Sequence, residues 1–243
     1  MKSMKKTRNT PRRVIGLLAL LAFTALCNAQ ELAAHWRFDE QGGEFPNLSG
    51  GGFPAKVQPV EKMDSVVPVP DEVGEIKKVV GFDGSGDYWI SAPAQLSGND
   101  FTVELWIKVE ANNEPSLLLG NRSGVMVQAK PGGTLLFFLA PEGAGGPQWH
   151  WSVVNVPNAF SLGEWIHVMA RFSENAQQLS VDNGGDVLRS EVKQIENPAQ
   201  YQWPQTVLGI NTSEHTQAFS GRIAAMKLYE GALSEEDFKK SMP

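Results

Sequence analysis

Cysteine is almost absent from this sequence, because the only one, Cys27, lies within the first thirty residues. A single thiol cannot form an internal disulfide, and cysteine-based zinc sites and thiolate catalysis beyond that point are excluded with it. A domain of about 200 residues buries roughly 70% of its unfolded surface and needs no cross-link. The fold must therefore be stabilised by a hydrophobic core.

Basic residues are also fewer than acidic ones. The chain has 21 lysines and arginines against 27 acidic residues, and six of the basic residues lie before residue 14. Without residues 1–29 the balance would be 15 basic to 27 acidic residues, a net charge of −12. A field of this sign repels phosphate backbones and anionic lipids. We therefore expect no nucleic-acid partner and no anionic membrane surface as a partner.

Long hydrophobic runs are missing except at Val14–Leu26. Thirteen residues of helix span about 20 Å, less than the roughly 30 Å of a bilayer core. A basic head precedes this run and Cys27-Asn28-Ala29, small-x-small, follows it, which is typical of a secretory signal. We predict a signal peptide over residues 1–29 and one domain over 30–243, exported to the periplasm, cell surface or medium with no membrane span after cleavage. An uncleaved anchor is the alternative.

Helical patterns are scarce beyond residue 30, where only Leu233–Lys240 is predicted to be a helix. Ser234 can cap it, acids fill its first turn and lysines its last. Elsewhere short apolar runs alternate with turn residues. Phe101–Val109 alternates apolar and polar side chains, which predicts a strand with one buried face. Further strands are predicted at Leu32–Phe38, Lys78–Phe82, Tyr88–Ser91, Ser116–Leu119, Val125–Ala129, Thr134–Leu139, Trp149–Val156, Trp165–Phe172, Gln178–Val181, Thr206–Ile210 and Arg222–Tyr229.

Many short strands without helical crossovers indicate an antiparallel all-β fold. Asn183-Gly184 is a strong hairpin signal between two of them. The proline-rich and acidic stretch Glu61–Glu75 is predicted to be a surface loop within the domain. We therefore predict a two-sheet antiparallel jelly-roll sandwich with a short C-terminal helix.

Six segments carry motifs that occur together in one family of domains. They are Trp36-Arg-Phe-Asp-Glu40, Phe82-Asp-Gly-Ser-Gly-Asp-Tyr88, Phe101-Thr-Val-Glu-Leu-Trp-Ile-Lys108, Gly163-Glu-Trp-Ile-His-Val168, Leu179-Ser-Val-Asp182 and Gly221-Arg-Ile223. In this order they resemble laminin G-like and pentraxin-like domains of the concanavalin A-like superfamily. The resemblance implies a jelly roll of about 200 residues, usually a carbohydrate- or protein-binding module of exported proteins. One departure is at Ala224 and Ala225, where the family usually has Asp-Glu, so any role of that acidic pair is absent here.

Catalytic patterns are weak in this sequence. A retaining glycosidase needs two carboxylates about 5–5.5 Å apart, which on a strand means acids two or four residues apart. Glu104 has no such partner on its strand, and no Gly-x-Ser-x-Gly elbow occurs. For His167 we favour a structural imidazole over a catalytic base. A polysaccharide-degrading hydrolase or lyase is therefore only a distant alternative.

Calcium is the inorganic partner that the sequence allows. Asp39, Asp83 and Asp87 carry the carboxylates that hard cations prefer, and glycine carbonyls lie beside two of them. The alternative is that Asp83 and Asp87 cap tight turns, as aspartate before glycine often does.

Aromatic side chains supply the candidate ligand site. Trp149 and Trp151 are two residues apart and share a face if their strand is regular. Tyr201 and Trp203 do likewise in a loop-like segment. We predict a shallow sugar- or peptide-binding surface with Trp149, Trp151, Trp203 and Tyr201. The favoured function is a non-catalytic module that recognises carbohydrate or an extracellular protein, and the alternative is a structural cell-envelope domain without a small ligand.

Overall fold

The computed structural model describes residues 30–50, 52–66, 68–121, 124–142, 151–203, 206–211 and 216–241. The predicted signal peptide lies outside these residues. No helix within the described ranges is long and apolar enough to cross a membrane. Almost all regular structure is strand, as the alternating pattern predicts.

The nine-stranded sheet has the path β14-β13-β12-β7-β17-β5-β4, with β1 added beside β17 and β15 beside β13. Every pairing in it is antiparallel. Its strands are β1 (Glu31–Arg37), β4 (Val69–Val73), β5 (Ile76–Asp83), β7 (Phe101–Ala111), β12 (Trp165–Ser173), β13 (Ala176–Asp182), β14 (Leu188–Arg189), β15 (Lys193–Gln194) and β17 (Ser220–Glu230).

The eight-stranded sheet has the order β11-β10-β9-β8-β16-β6-β3-β2 and is also antiparallel throughout. The large sequence separation between neighbours such as β8 and β16 is typical of a jelly roll. Its strands are β2 (Glu44–Phe45), β3 (Ala55–Gln58), β6 (Trp89–Ser91), β8 (Ser116–Asn121), β9 (Val125–Lys130), β10 (Thr134–Leu139), β11 (Ser152–Val156) and β16 (Thr206–Leu208).

The main core lies between the two sheets, where alternate side chains of both point inward. The nine-stranded sheet contributes Phe101, Leu105 and Phe172, and the eight-stranded sheet contributes Phe137 and Leu139. Phe101 meets Phe137 edge to face, with ring centroids 6.4 Å apart. This packing confirms the predicted two-sheet sandwich.

The C-terminal helix α1 (Glu235–Lys240) is confirmed with its predicted cap, because Oγ of Ser234 accepts a hydrogen bond from the amide of Asp237 at 3.1 Å. The helix buries Phe238 against the outer side of the nine-stranded sheet, beside Met169. Burial on this side changes one expectation. Phe101–Val109 was predicted to have one buried face, but Thr102, Glu104 and Trp106 are buried on its other face too.

The loop predicted over Glu61–Glu75 is corrected by the structure. A short 3₁₀ helix (Val60–Ser65) and strand β4 occupy most of it. Strand β4 contains a proline and two acids, which are uncommon in strands, so its composition did not predict a strand. It pairs as an edge strand with β5.

Candidate functional site

A continuous row of side chains crosses the outer face of the eight-stranded sheet, and we call this surface the eight-strand face. Cross-strand register brings one residue from each strand into the row. Eight strands spaced about 4.8 Å apart span roughly 34 Å. In spatial order the row is Val153, Phe138, Met126, Gly120, Val207, Ser91, Lys56 and Glu44.

Alternation along each strand decides which residues reach this face. Phe137 and Leu139 of β10 are in the core between the sheets, so Leu136 and Phe138 point outward. Val125, Val127 and Ala129 of β9 are also in that core, which leaves Met126 and Gln128 on the outer side. The face therefore follows directly from the inward packing of the same strands.

A second row lies beside the first and is almost inaccessible. It consists of Leu136, Gln128 and Leu117, paired in register across three strands, and exposed Asn155 of β11 continues it at the edge of the sheet. Leu117 and Gln128 are each only 3% exposed and Leu136 is 7% exposed, although all three point away from the core. They form an apolar floor that contains one amide. Half-buried Phe138 and exposed Asn155 flank it.

Gly120 leaves the centre of the first row without a side chain. A Cβ at this position would stand 3.0 Å from a methyl group of Leu117. Small Ser91 lies two strands away in the same row. The surface of the row is therefore recessed at Gly120 and Ser91 and rises at Phe138 and Lys56.

Charge on the eight-strand face is sparse. Among the described strands of this sheet, Glu44 is the only carboxylate, and its Oε2 lies 3.1 Å from Nζ of Lys56. Lys130, at the end of β9, is exposed. The polar groups nearer the centre are the neutral amides and hydroxyls of Gln58, Ser91 and Gln128.

The four predicted ligand aromatics have different positions. Trp149 lies outside the described residues. Trp151 directly precedes β11 and is half-buried, and its indole N–H is enclosed without a hydrogen-bond partner among the residues described. Continued alternation from Val153 places Trp151 toward the eight-strand face. This ring remains a predicted ligand contact.

Tyr201 and Trp203 are corrected to core residues, at 4% and 1% exposure. Both rings pack edge to face on Phe101, with centroids 5.7 and 4.9 Å away. The hydroxyl of Tyr201 donates to the carbonyl of Ala140 at 2.9 Å, and burial raises the pKa of this phenol. Neither ring is available at the surface. Their segment looked like a loop in sequence, but loop backbone here carries side chains into the core.

The three predicted calcium ligands do not come together. Asp39 forms an ion pair with Arg37 at 2.7 Å. Asp83 accepts a hydrogen bond from the amide of Ser85 at 2.8 Å, and hydrogen bonds from Ser85 lower the pKa of Asp83. Asp83 and Asp87 line the same small depression. No group of three or more metal-binding side chains occurs among the described residues. This geometry fits the turn-capping interpretation of Asp83, and calcium binding stays a prediction.

Glu104 and His167 form a buried cluster on the outer side of the nine-stranded sheet. Nε2 of His167 lies 3.1 Å from Oε1 of Glu104. Oε2 of Glu104 accepts hydrogen bonds from the hydroxyls of Tyr229 at 3.0 Å and Ser241 at 2.8 Å. Lys227 adds a further donor to Ser241 at 3.1 Å. The carboxylate is completely buried, so it has no access to a substrate.

The imidazole of His167 is enclosed by aromatic rings. It stacks on Trp106 with centroids 4.1 Å apart, and Phe238 of α1 covers it at the same distance. Burial lowers the pKa of His167, against the opposing effect of Glu104. This position supports the structural interpretation of the histidine.

A second apolar cluster lies on the outer side of the nine-stranded sheet, beside its edge hairpin β4–β5. Val73 and Ile76 of the β4–β5 hairpin pack with Trp106, Ala224 and Ala225. The two alanines that replace the family's acidic pair therefore make room for this apolar cluster. At the margin of this cluster Asp71 forms two ion pairs. Its Oδ2 lies 2.6 Å from Nζ of Lys108 and 2.8 Å from Nη1 of Arg222. Burial opposes ionisation here, but hydrogen bonds from Lys108 and Trp165 lower the pKa of Asp71.

The two antiparallel sheets and their terminal helix define a lectin-type β-sandwich. The family model of the concanavalin A-like lectin/glucanases superfamily, laminin G type, matches residues 83–238. Because that match covers more than half of the chain, the chain belongs to this family. A search of curated proteins found no relative.

Solved structures with a similar fold include two proteins of different origin. Domain 4 of AbnA, an extracellular arabinanase of family GH43 from Geobacillus stearothermophilus solved with arabinotriose, is 19% identical. It aligns over 87% of this chain and 98% of that domain, with a TM-score of 0.56. A mutant Trypanosoma rangeli sialidase with trans-sialidase activity is 13% identical, over 86% of this chain and 32% of its own, with a TM-score of 0.57. At these identities the likeness shows the fold alone.

Proposed function

We propose that the protein is an exported, non-catalytic module that binds carbohydrate on its eight-strand face. The observation that carries the proposal is the β10–β11 edge of that face, where the half-buried ring of Phe138 lies near the exposed amide of Asn155. Sugar rings present C–H faces to aromatic and apolar side chains and hydroxyls to amides, so such a surface suits them. The arabinotriose complex of the similar arabinanase domain supports the same class of ligand.

We propose a non-catalytic role because the described strands of the face carry a single carboxylate. Glycosidases of both stereochemical types need two carboxylates flanking the bond to be cleaved. The described strands of the eight-stranded sheet carry one carboxylate, Glu44, which is paired with Lys56 at its edge. Glu104 lies on the other sheet beneath α1. Export is part of the proposal because of the basic head, apolar run and small-x-small end of residues 1–29.

A glycan array with the purified protein tests the function. We expect binding to at least one glycan, weakened about tenfold or more by Phe138→Ala because a half-buried aromatic contact is lost. Phe53→Ala is the matched control, since that ring is 57% exposed in the loop before β3. The double variant Trp149→Ala/Trp151→Ala tests the predicted tryptophans in the same way. A wild-type protein that binds no glycan on the array would contradict carbohydrate binding and favour the structural alternative.

A further inference from the structure

Helix α1 lies across the outer side of the nine-stranded sheet on a small number of contacts. Near its start Glu235 pairs with Arg189 of β14, and just after its end Oγ of Ser241 donates to Glu104 of β7 at 2.8 Å. Phe238 is the buried residue of the helix. A helix of six residues is too short to be stable in water by itself. It therefore stays helical only while it is docked on the sheet.

The apolar contacts beneath α1 are separate from the core between the two sheets. Phe238 and Leu233 form a cluster of their own with Met169 of β12. The neighbours of Met169 on that strand, Val168 and Ala170, point the other way and belong to the main core. The sheet itself lies between the two groups. Helix α1 can therefore leave without opening the sandwich, and such a local opening costs less than global unfolding.

The group that α1 encloses is the imidazole of His167. Phe238 covers one side of this ring and Trp106 the other, each with its centroid 4.1 Å away. Nε2 of His167 lies 3.1 Å from Oε1 of Glu104. The titratable groups around it on the packed elements are Glu104 on β7, Asp182 on β13, Arg189 on β14, Lys227 and Tyr229 on β17, His35 on β1, and the acids and lysines of α1.

A proton on His167 would place a second positive charge in this enclosed cluster. Nζ of Lys227 already lies 4.8 Å from the ring centre of Trp106, on which His167 stacks. Burial lowers the pKa of His167, although Glu104 opposes that shift. Once α1 has left, the imidazole is in water with a pKa near its ordinary value of about 6.5. The open form therefore binds more protons, so docking is complete above that pH and weakens below it.

We infer that α1 is an acid-released strap, which leaves the nine-stranded sheet when His167 is protonated while the core between the sheets stays closed. Protonation of a histidine is the usual way in which a protein responds to pH values between 5 and 7. Opening uncovers Met169 and the Glu104–His167 pair, which the docked helix closes off. The proposed glycan surface lies on the other sheet and takes no part in this change.

Thiol accessibility tests the opening, because the chain has a single cysteine, Cys27, that can be replaced by serine. In that background Met169→Cys places a thiol beneath α1, and Val168→Cys places one between the sheets. Both positions are at most 1% exposed. Gln194→Cys, at an exposed position on β15, gives the reactivity of a free thiol. The reagent is dithiodipyridine, which reacts with thiols in acid as well as at neutral pH.

Each labelling rate is divided by that of Gln194→Cys at the same pH. We expect the ratio for Met169→Cys to rise at least about tenfold from pH 7.5 to pH 5, because the open form gains a proton. The ratio for Val168→Cys should change by less than about twofold. These two positions are adjacent on one strand and differ in the side of the sheet that they report.

Two further variants identify the histidine responsible. His167→Gln keeps a polar side chain beside Glu104 but cannot be protonated in this range, so with Met169→Cys it should give a ratio that does not change with pH. His35→Leu is the matched control. His35 is a second histidine on this face, in register with Lys227 on the far side from α1's buried ring. Its replacement should leave the rise in place.

Hydrogen exchange of the unmodified protein gives an independent measurement if a cysteine variant does not fold. After correction for pH, α1 should lose protection at pH 5 while strand β12 keeps it. Equal increases for Met169→Cys and Val168→Cys would show that the whole sandwich opens, and would overturn the strap. No increase for Met169→Cys, or an undiminished one with His167→Gln, would overturn it as well.

Discussion

The outer faces of the two sheets differ in charge. The face of the nine-stranded sheet holds Glu104 and the Asp71–Arg222 pair, and side chains of helix α1 and of the sheet's own edge hairpin β4–β5 pack over it. The eight-strand face has one carboxylate on its described strands and a neutral, largely apolar floor. Buried ion pairs and packed side chains fix one face as structure, while the other face, whose ion pair Lys56–Glu44 is exposed, suits a ligand. The predictions below test this division of roles.

The largest expected effect comes from removing the ring of Phe238, which anchors α1 on the nine-stranded sheet. Phe238→Ala should lower the free energy of unfolding by about 3–5 kcal/mol, because a completely buried ring is lost over His167 and Met169. Urea unfolding measures the change. Glycan binding by the folded fraction should stay as in the wild type. Loss of binding at temperatures where the variant is folded would contradict the assignment of stability to one face and ligand binding to the other.

Neutralising the buried carboxylate should have the next largest effect. Glu104→Gln keeps the shape of the side chain but removes the charge beside His167 and Lys227, which should cost about 2–4 kcal/mol. Burial already lowers the pKa of Lys227, and Glu104 opposes that shift. Urea unfolding of Glu104→Gln and of Glu110→Gln, an exposed acid near the end of the same strand, measures the contrast. Equal stabilities for the two variants would contradict a structural role for Glu104.

The histidines on the nine-stranded sheet should make stability depend on pH. Burial and the positive charge of Lys227 lower the pKa of His35 to about 4, and burial lowers that of His167. The unfolded chain, with imidazole near its ordinary pKa of about 6.5, therefore binds more protons in this range. Stability should be complete above about pH 7 and fall as the pH drops from 6.5 toward 4.

Urea unfolding at pH 7.5 and pH 5 checks the histidine prediction, with His35→Leu as the variant. Leucine cannot be protonated, so this variant should lose part of the difference between the two pH values. A pH dependence identical to that of the wild type would assign the effect to other groups. Because the eight-strand face has no histidine on its described strands, glycan affinity should change little over the same range.

The smallest effect is expected at the turn after β5. Asp83→Ala removes the carboxylate that accepts from the Ser85 amide, which should cost about 0.5–1.5 kcal/mol. If Asp83 acts as a turn cap, calcium added to chelator-treated protein should not change the melting temperature. A clear rise in melting temperature with calcium, absent in Asp83→Ala, would support the calcium prediction instead.

The strands of the sandwich were predictable because their signal is local. Thr134–Leu139 has the predicted bounds, and Ser234 caps α1 as its sequence pattern indicates. Strands β2, β3, β4, β14 and β15 were missed, since two to five residues give too little alternation for a pattern. The candidate site was found only in part. Phe138 and Asn155 lie in strands that were predicted, but the sequence did not show which of their faces meets the other sheet.

The sequence by itself determined the class of fold and the capped C-terminal helix, because alternation and capping involve residues near one another. Its single cysteine also excluded an internal disulfide. The role of each tryptophan was decided by tertiary structure. Trp203 is buried because its loop brings the ring onto Phe101 of the nine-stranded sheet, and Trp106 because it packs with Ala224, Ala225 and the β4–β5 hairpin. Burial depends on contacts between segments far apart in sequence, so identical side chains in similar local patterns have different environments.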